Sequence, residues 1–280
     1  MSSAAKDVMA DVLRALQEDI GTGDVTAALL APSCIINAEI ISREPMFLCG
    51  RPWVDCVFNL IDPSIQIHWL VEEGEWLETP RVLCKISGSA QHVLTAERTA
   101  LNFLQTLSAT ATTTYHCVQA LNGLPTRLLD TRKTLPGLRS AQKYAVALAG
   151  GMNHRMGLFD AYLIKENHIR AYGSITAVIE RARALNAAIL LEIEVETLDE
   201  LREALAAKPD RILLDNFTLE MLREAVLMNQ PKSVMLEASG GIDIKNMTDV
   251  AKTGVDYISM GSLTKSVQAI DLSLLIKDHI

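Results

Sequence analysis

Ile189-Leu-Leu-Glu-Ile-Glu-Val195, Arg211-Ile-Leu-Leu-Asp-Asn216, Val234-Met-Leu-Glu-Ala-Ser-Gly-Gly241 and Asp256-Tyr-Ile-Ser-Met-Gly-Ser262 follow one another at a nearly constant interval. Glu194 to Asp215 is 21 residues, Asp215 to Glu237 is 22, and Glu237 to Ser259 is 22. Each is a short β-prone run, and polar residues or glycines follow it. Between them lie Leu198–Ala207 and Leu219–Met228, whose sequences are compatible with helix. Two earlier runs, Arg127–Leu129 and Ala161–Ile164, extend the series upstream, with Ser174–Leu185 as a further helix. Such alternation builds a parallel sheet, because a parallel strand is reached only by a crossover. The regular spacing predicts a closed or nearly closed αβ barrel. No Gly-x-Gly-x-x-Gly follows any of the runs, which disfavours a dinucleotide-binding sheet.

The chain ahead of this series reads differently. Val8, Met9, Val12, Leu13 and Leu16 have a helical period, which Gly21-Thr-Gly-Asp24 breaks. Ile35–Ile41, Ile65–Val71 and Val82–Ile86 are short strand candidates, separated by Pro45, Asp62-Pro63 and Gly74. They predict a largely antiparallel sheet. A long helical region spans Thr95–Leu121, with Thr95 near its start. The fold class is therefore α/β, a first half of helices with a largely antiparallel sheet followed by the barrel, and 280 residues are enough for both. The core must be aliphatic, since 49% of residues are hydrophobic but only 5% aromatic. A net charge of −8 argues against nucleic acid as a partner, because neutralising a phosphate backbone needs a basic face. The five cysteines include no Cys-x-x-Cys pair and read as reduced thiols. With no signal-like leader and no run of about 18 apolar residues, the expectation is a cytoplasmic protein with no membrane partner.

Charge is distributed unevenly. Residues 127–170 hold eight Lys or Arg against three acids, a local +5 that leaves −13 for the remainder. Cations gathered against the overall sign imply something anionic facing them. They fall where the strand ends fall. The first run leads into Asp130-Thr-Arg-Lys133 and the second into Lys165-Glu-Asn167. In a βα barrel the C-terminal strand ends share one mouth, where the active site is built. One polar strand end is ordinarily a cap or a solvated turn, but six together point to a site. Arg132, Arg155 and Arg139 suit carboxylates, and Lys133 and Lys165 suit phosphate. Glu194 and Asp215 can accept from sugar hydroxyls, bind Mg²⁺ or face a developing cation. Ser239-Gly240-Gly241 and Gly261-Ser262 suit a phosphate held by backbone N–H groups. His154 lies beside Arg155 in the basic stretch and reads as a donor to an anion, whereas His168 has no comparable support. A lone Arg98 near a helix start is ordinarily solvated.

The chain resembles the quinolinate phosphoribosyltransferase family. The strings that carry the resemblance are Glu18-Asp-Ile-Gly-Thr-Gly-Asp-Val-Thr26, Glu97-Arg-Thr-Ala-Leu-Asn-Phe-Leu104, Leu129-Asp-Thr-Arg-Lys-Thr134, Gly151-Met-Asn-His-Arg155, Leu163-Ile-Lys-Glu-Asn-His-Ile169, Leu214-Asp-Asn216 and Glu237-Ala-Ser-Gly-Gly-Ile242. One departure is Lys265, where the family more often has His. The resemblance implies an N-terminal α/β sandwich over 1–107, joined by the C-terminal tail 271–280, and an open αβ (TIM-like) barrel over 108–270. It implies a homodimer in which Arg98 serves the neighbouring site. It also implies the condensation of quinolinate with phosphoribosyl pyrophosphate (PRPP) to nicotinate mononucleotide, pyrophosphate and CO₂, a step of de novo NAD biosynthesis. Quinolinate would meet Arg98, Arg132, His154 and Arg155. PRPP would meet Lys133, Lys165, Glu194, Asp215, Ser239, Gly240, Gly241, Gly261 and Ser262. Mg²⁺ would lie at Glu194 and Asp215. Lys133, Lys165, Glu194 and Asp215 would carry catalysis.

Three other readings compete. A related transferase for another base would keep the phosphoribosyl loops but lose some of the four carboxylate-binding cationic positions. A sugar-phosphate aldolase would use Lys165 as a Schiff-base amine. A non-catalytic sensor would bind quinolinate without turnover.

Overall fold

The computed structural model describes residues 3–279, which form two compact units. The first comprises residues up to Tyr115, Leu135–Ala149 and the tail from Ser266; the second comprises His116–Thr134 and Gly150–Lys265.

The first unit opens with α1 (Ser3–Ile20), followed by β1 (Ile35–Ser42), β2 (Met46–Phe47), α2 (Arg51–Ile61), β3 (Gln66–Trp69), β4 (Trp76–Leu77) and β5 (Arg81–Ser89). Helix α3 (Ala90–Ala120) then carries the chain into the second unit. The expected helix start near Thr95 lies one turn too late. Ala90, Val93, Ala96 and Ala100 continue the buried stripe upstream, so β5 turns directly into helix. The Thr95 hydroxyl lies within donating distance of two acceptors, Asp24 Oδ2 at 2.9 Å and the Gln91 carbonyl at 2.8 Å, for its single hydrogen.

The second unit contains β6 (Arg127–Leu129), and the chain then forms α4 (Arg139–Leu148), which groups with the first unit. The barrel elements follow: β7 (Ala161–Ile164), α5 (Glu166–Tyr172), α6 (Ile175–Leu185), β8 (Leu190–Val195), α7 (Leu198–Ala207), β9 (Arg211–Asp215), α8 (Leu219–Met228), β10 (Met235–Ser239), α9 (Met247–Ala251), β11 (Tyr257–Ser259) and α10 (Ser262–Lys265). The tail forms β12 (Leu272–His279).

In the first unit the sheet order is β12-β1-β5-β3, and its three neighbouring pairs are antiparallel, with Ser42 opposite Leu272. Its core is aliphatic, built around Ile40, Leu83, Ile86, Leu101 and Leu104, and reinforced by Ala141 and Ala145 of α4. The alanine face of α4 explains why this segment groups with the first unit. The expected division at 107/108 falls inside the unbroken α3, whereas the contact boundary lies at 115/116.

In the second unit six parallel strands run in the order β6-β11-β10-β9-β8-β7. Strands β6 and β7 end the order and are not paired with each other, so the barrel is open. Met152 lengthens one edge by bridging to Leu129. Strand β8 shows how the sequence builds the interior. Leu191, Ile193 and Val195 alternate with Glu192 and Glu194, and all five are buried. The two-residue period places the glutamates together on one face and the apolar side chains on the other. Ser174, Thr197 and Thr218 cap α6, α7 and α8 by accepting from Ala177, Glu200 and Met221 N–H groups.

Candidate active site

A cavity of about 410 Å³ opens within the second unit. It gathers Arg132 and Lys133 after β6, His154 and Arg155 from the loop before β7, Lys165 after β7, Glu194 of β8, Asp215 of β9 and Ser239 of β10. The eight residues come from six separate segments.

Each side chain is positioned by local structure. Lys165 directly precedes α5, and its backbone N–H donates to His168 Nδ1 at 3.1 Å, so His168 is a helix-start partner. The Lys165 ammonium pairs with Glu194 Oε2. Asp215 Oδ2 accepts from Asn216 Nδ2 at 2.8 Å. Asn216 has φ 56°, a left-handed conformation that asparagine adopts more readily than most residues. Gly240, with φ +90°, lies close against it: a Cβ there would stand 2.2 Å from Asn216 Oδ1. Behind Lys133, the buried Thr264 hydroxyl donates to the Lys133 carbonyl at 2.7 Å. A Cβ at Gly261 would stand 2.8 Å from Lys133 Cδ, so Gly261 borders that lysine.

Arg155 is held by its neighbours in sequence and in space. Its backbone N–H donates to His154 Nδ1 at 2.7 Å, and the His154 N–H donates to the fully buried Asp130 at 2.8 Å. Burial, and then the nearby Arg132 guanidinium, push Arg155 below its ordinary range; Glu192 and Asp160 pull the other way. A guanidinium whose charge a second one nearby disfavours is suited to anionic oxygens.

Beneath the cations lies a layer that sequence reasoning did not assign. Glu192 and Glu237 are both fully buried. His154 Nε2 lies 2.8 Å from Glu192 Oε2 and 3.6 Å from Glu237 Oε2, and Arg211 Nη1 donates to Glu237 Oε2 at 2.9 Å. Burial, compounded by the Glu192 charge, raises Glu237 to about 7, while His154, Ser259 and Arg211 pull it down. Burial likewise raises Glu192. His154 therefore turns its ring towards carboxylates of the protein itself. Its Nδ1 accepts a backbone N–H and its Nε2 faces carboxylates, because the loop folds the ring inward over the floor. The Glu-Ile-Glu alternation could have revealed Glu192, since a residue two before Glu194 shares its face. Asp130 was marked only as a strand-end residue, and nothing in the sequence marked Arg211.

The remaining expected residues lie elsewhere. Gly240 lines a separate 300 Å³ cavity with Leu214, Phe217 and Asn246, and Ser239 borders both. Gly241 and Ser262 line neither cavity, and Ser262 begins α10. Arg98 is exposed in the first unit and lines a groove with Asp19, Asp24 and Thr95. Arg139 starts α4 and is not among the cavity residues.

Taken together, a parallel barrel whose mouth sets clustered cations against Glu194 and Asp215 defines an α/β barrel enzyme for small polyanionic substrates. The comparisons narrow this class. Residues 24–108 match the model of the quinolinate phosphoribosyl transferase N-terminal domain and residues 110–275 that of its C-terminal domain. The chain belongs to the quinolinate phosphoribosyl transferase family. It is 40% identical to the probable nicotinate-nucleotide pyrophosphorylase [carboxylating] of Bacillus subtilis over 92% of this chain and 89% of that protein. It is 39% identical to the nicotinate-nucleotide pyrophosphorylase [carboxylating] of Mycobacterium leprae over 97% and 96%. The solved nicotinate-nucleotide pyrophosphorylase of Francisella tularensis superposes with a TM-score of 0.94 at 47% identity, covering 98% of this chain and 97% of that one.

Proposed function

We propose that this chain transfers the phosphoribosyl group of PRPP to the ring nitrogen of quinolinate, releasing pyrophosphate and CO₂ and forming nicotinate mononucleotide for de novo NAD biosynthesis. The observation that carries the reading is the cavity itself. It places Arg132 and Arg155 together beside Lys133 and Lys165, with Glu194 and Asp215 lining the same space. Quinolinate is a dianion that suits the arginine pair, and the diphosphate of PRPP suits the lysines. Glu194 and Asp215 face the ribose. There they accept from its hydroxyls and stabilise positive charge at C1 as the bond to pyrophosphate breaks and the ring nitrogen bonds to carbon. Catalysis is positioning and electrostatics, with no covalent intermediate on the enzyme. Lys165 is ion-paired with Glu194, which favours a phosphate-binding ammonium over a Schiff-base amine.

Mg²⁺ fits this donor set. Mg²⁺ bound through one or two carboxylates together with substrate phosphates is a common arrangement, and Glu194 and Asp215 supply the carboxylates. When bound, the ion would neutralise diphosphate charge. Ser239, Gly240, Gly241, Gly261 and Ser262 form the 5′-phosphate end in this reading, with Gly261 beside Lys133. The working form is a homodimer whose Arg98 reaches the neighbouring site. Support comes from the exposure of Arg98 in a groove of the first unit, which leaves it available to a second copy. A cytoplasmic location is supported by five free cysteines, and no described helix is long and apolar enough to cross a membrane.

The test is incubation with quinolinate, PRPP and Mg²⁺, following nicotinate mononucleotide and CO₂. Quinolinate binding without PRPP-dependent CO₂ release would refute the proposal and point to a sensor.

A further inference from the structure

Glu192, Glu237 and His154 offer ligand atoms within 4.8 Å of one another below the cavity. Among the described residues nothing hydrogen-bonds to Glu192 Oε1 or Glu237 Oε1, and the group nearest Glu192 Oε2 is His154 Nε2, 2.8 Å away. Buried carboxylate oxygens in that condition require a cation or a proton. The imidazole decides between them. His154 Nδ1 accepts the Arg155 N–H, so a neutral ring carries its hydrogen on Nε2, the atom facing the glutamates. A metal would need a lone pair there. A proton needs none: placed on Glu237 Oε1, it turns an undonated oxygen into a donor to Glu192 and gives one of the Glu192 oxygens a partner.

We infer that Glu237 is a positioning and specificity-determining residue that works as a neutral acid, bridging to Glu192 and setting no charge of its own against the cavity cations that a dianionic ligand meets. The inference rests on the quinolinate reading above. Geometry restricts the role to Glu237, the member of the pair that lines the cavity. The groups facing it are Glu192 from β8, Arg211 from β9, Ser259 from β11, and His154. Arg155 and Glu194 act on Glu192 behind it. With Glu237 neutral, Arg132, Lys133, Arg155 and Lys165 stand against only Glu194 and Asp215 among the charged lining groups. Once Glu237 ionises, half of that surplus is cancelled.

Glu237 titrates at about 7 in the fold, above the ordinary 4.5. A raised acid is fully stabilising below its unfolded value and loses that contribution as pH rises towards the folded one. Two measurements on the full chain follow. The first is thermal stability of wild type and Glu237→Gln, which mimics the protonated form. The melting-temperature difference should widen in favour of the variant between about pH 4.5 and 7 and then level off. The second is calorimetric titration with quinolinate alone. Wild-type affinity should fall about tenfold between pH 6 and 8.5, and Glu237→Gln should show no such fall.

A stability difference that does not change with pH, or an equal fall in both proteins, would overturn the inference. So would a divalent metal recovered with purified wild type and lost from Glu237→Gln. If quinolinate binds neither protein at any pH, the substrate reading fails, while the stability series still reports on the proton.

Discussion

Gly240 and Gly241 are adjacent and both have positive φ, +90° and +60°, yet the structure assigns them different tolerances. A Cβ at Gly241 would meet nothing within 4 Å. Gly241→Ala therefore incurs only the left-handed backbone penalty, about 1–2 kcal/mol. A Cβ at Gly240 would stand 2.2 Å from Asn216 Oδ1, 2.7 Å from its Cγ and 2.8 Å from its backbone nitrogen. The amide can swing away, but the backbone nitrogen is fixed by its 2.9 Å bond to the Ser239 carbonyl. Relieving that overlap shifts the β9 end, adding about 1–3 kcal/mol to the conformational penalty. At about 2 °C per kcal/mol for a chain of this size, Gly241→Ala should lower the melting temperature by about 2–4 °C and Gly240→Ala by about 4–10 °C. Thermal unfolding followed by dye binding reads both. Because Asn216 holds Asp215, Gly240→Ala should also reduce kcat, and Asn216→Gly added to it should recover part of the lost stability. Equal losses in the two single variants, or a larger loss for Gly241→Ala, would refute the close approach of Gly240 to Asn216.

Arg132→Ala should weaken quinolinate binding by roughly 10–150-fold, the worth of one charge-assisted contact, and leave PRPP affinity nearly unchanged; calorimetry reads both, and unchanged quinolinate affinity contradicts the assignment. Thr264→Val removes the donor to the Lys133 carbonyl, so KM for PRPP should rise several-fold, the effect of about 1 kcal/mol, with kcat for bound substrate less affected. Arg98→Ala and Arg132→Ala should each be nearly inactive alone. If Arg98 serves the neighbouring barrel, mixing them through a refolding step should restore about a quarter of wild-type activity, since half of the dimers then carry one intact site. Absence of recovery would place Arg98 outside the partner's site.

Much of the barrel was legible in sequence because its two periods are local. Strand β8 reads directly from Leu-Leu-Glu-Ile-Glu-Val, and the near-constant interval between runs follows from one strand, one crossover helix and two loops. The strand ends were legible for the same reason, and seven of the eight cavity residues described above were charged residues or a histidine named from position alone, Ser239 being the other. The start of α3 was placed too late because the apolar stripe is plain only from Ala100 onward, while Ala90 and Val93 carry a weaker signal that packing makes decisive. The placement of α4 was not legible at all. Its alanines complete the core of a unit whose other residues lie far away along the chain.

The amino-acid sequence by itself determined that this protein has an antiparallel first unit and a parallel second one, and that cations and two acids stand where strands end. Propensity, period and charge are properties of neighbours along the chain. Only the tertiary structure decided that His154 turns inward, that Arg211 of β9 reaches Glu237 of β10, and that Glu192 and Glu237 meet beneath the cations. Those contacts depend on register across separate strands and on the loss of water around buried charge. Both are set only when the sheet curves round.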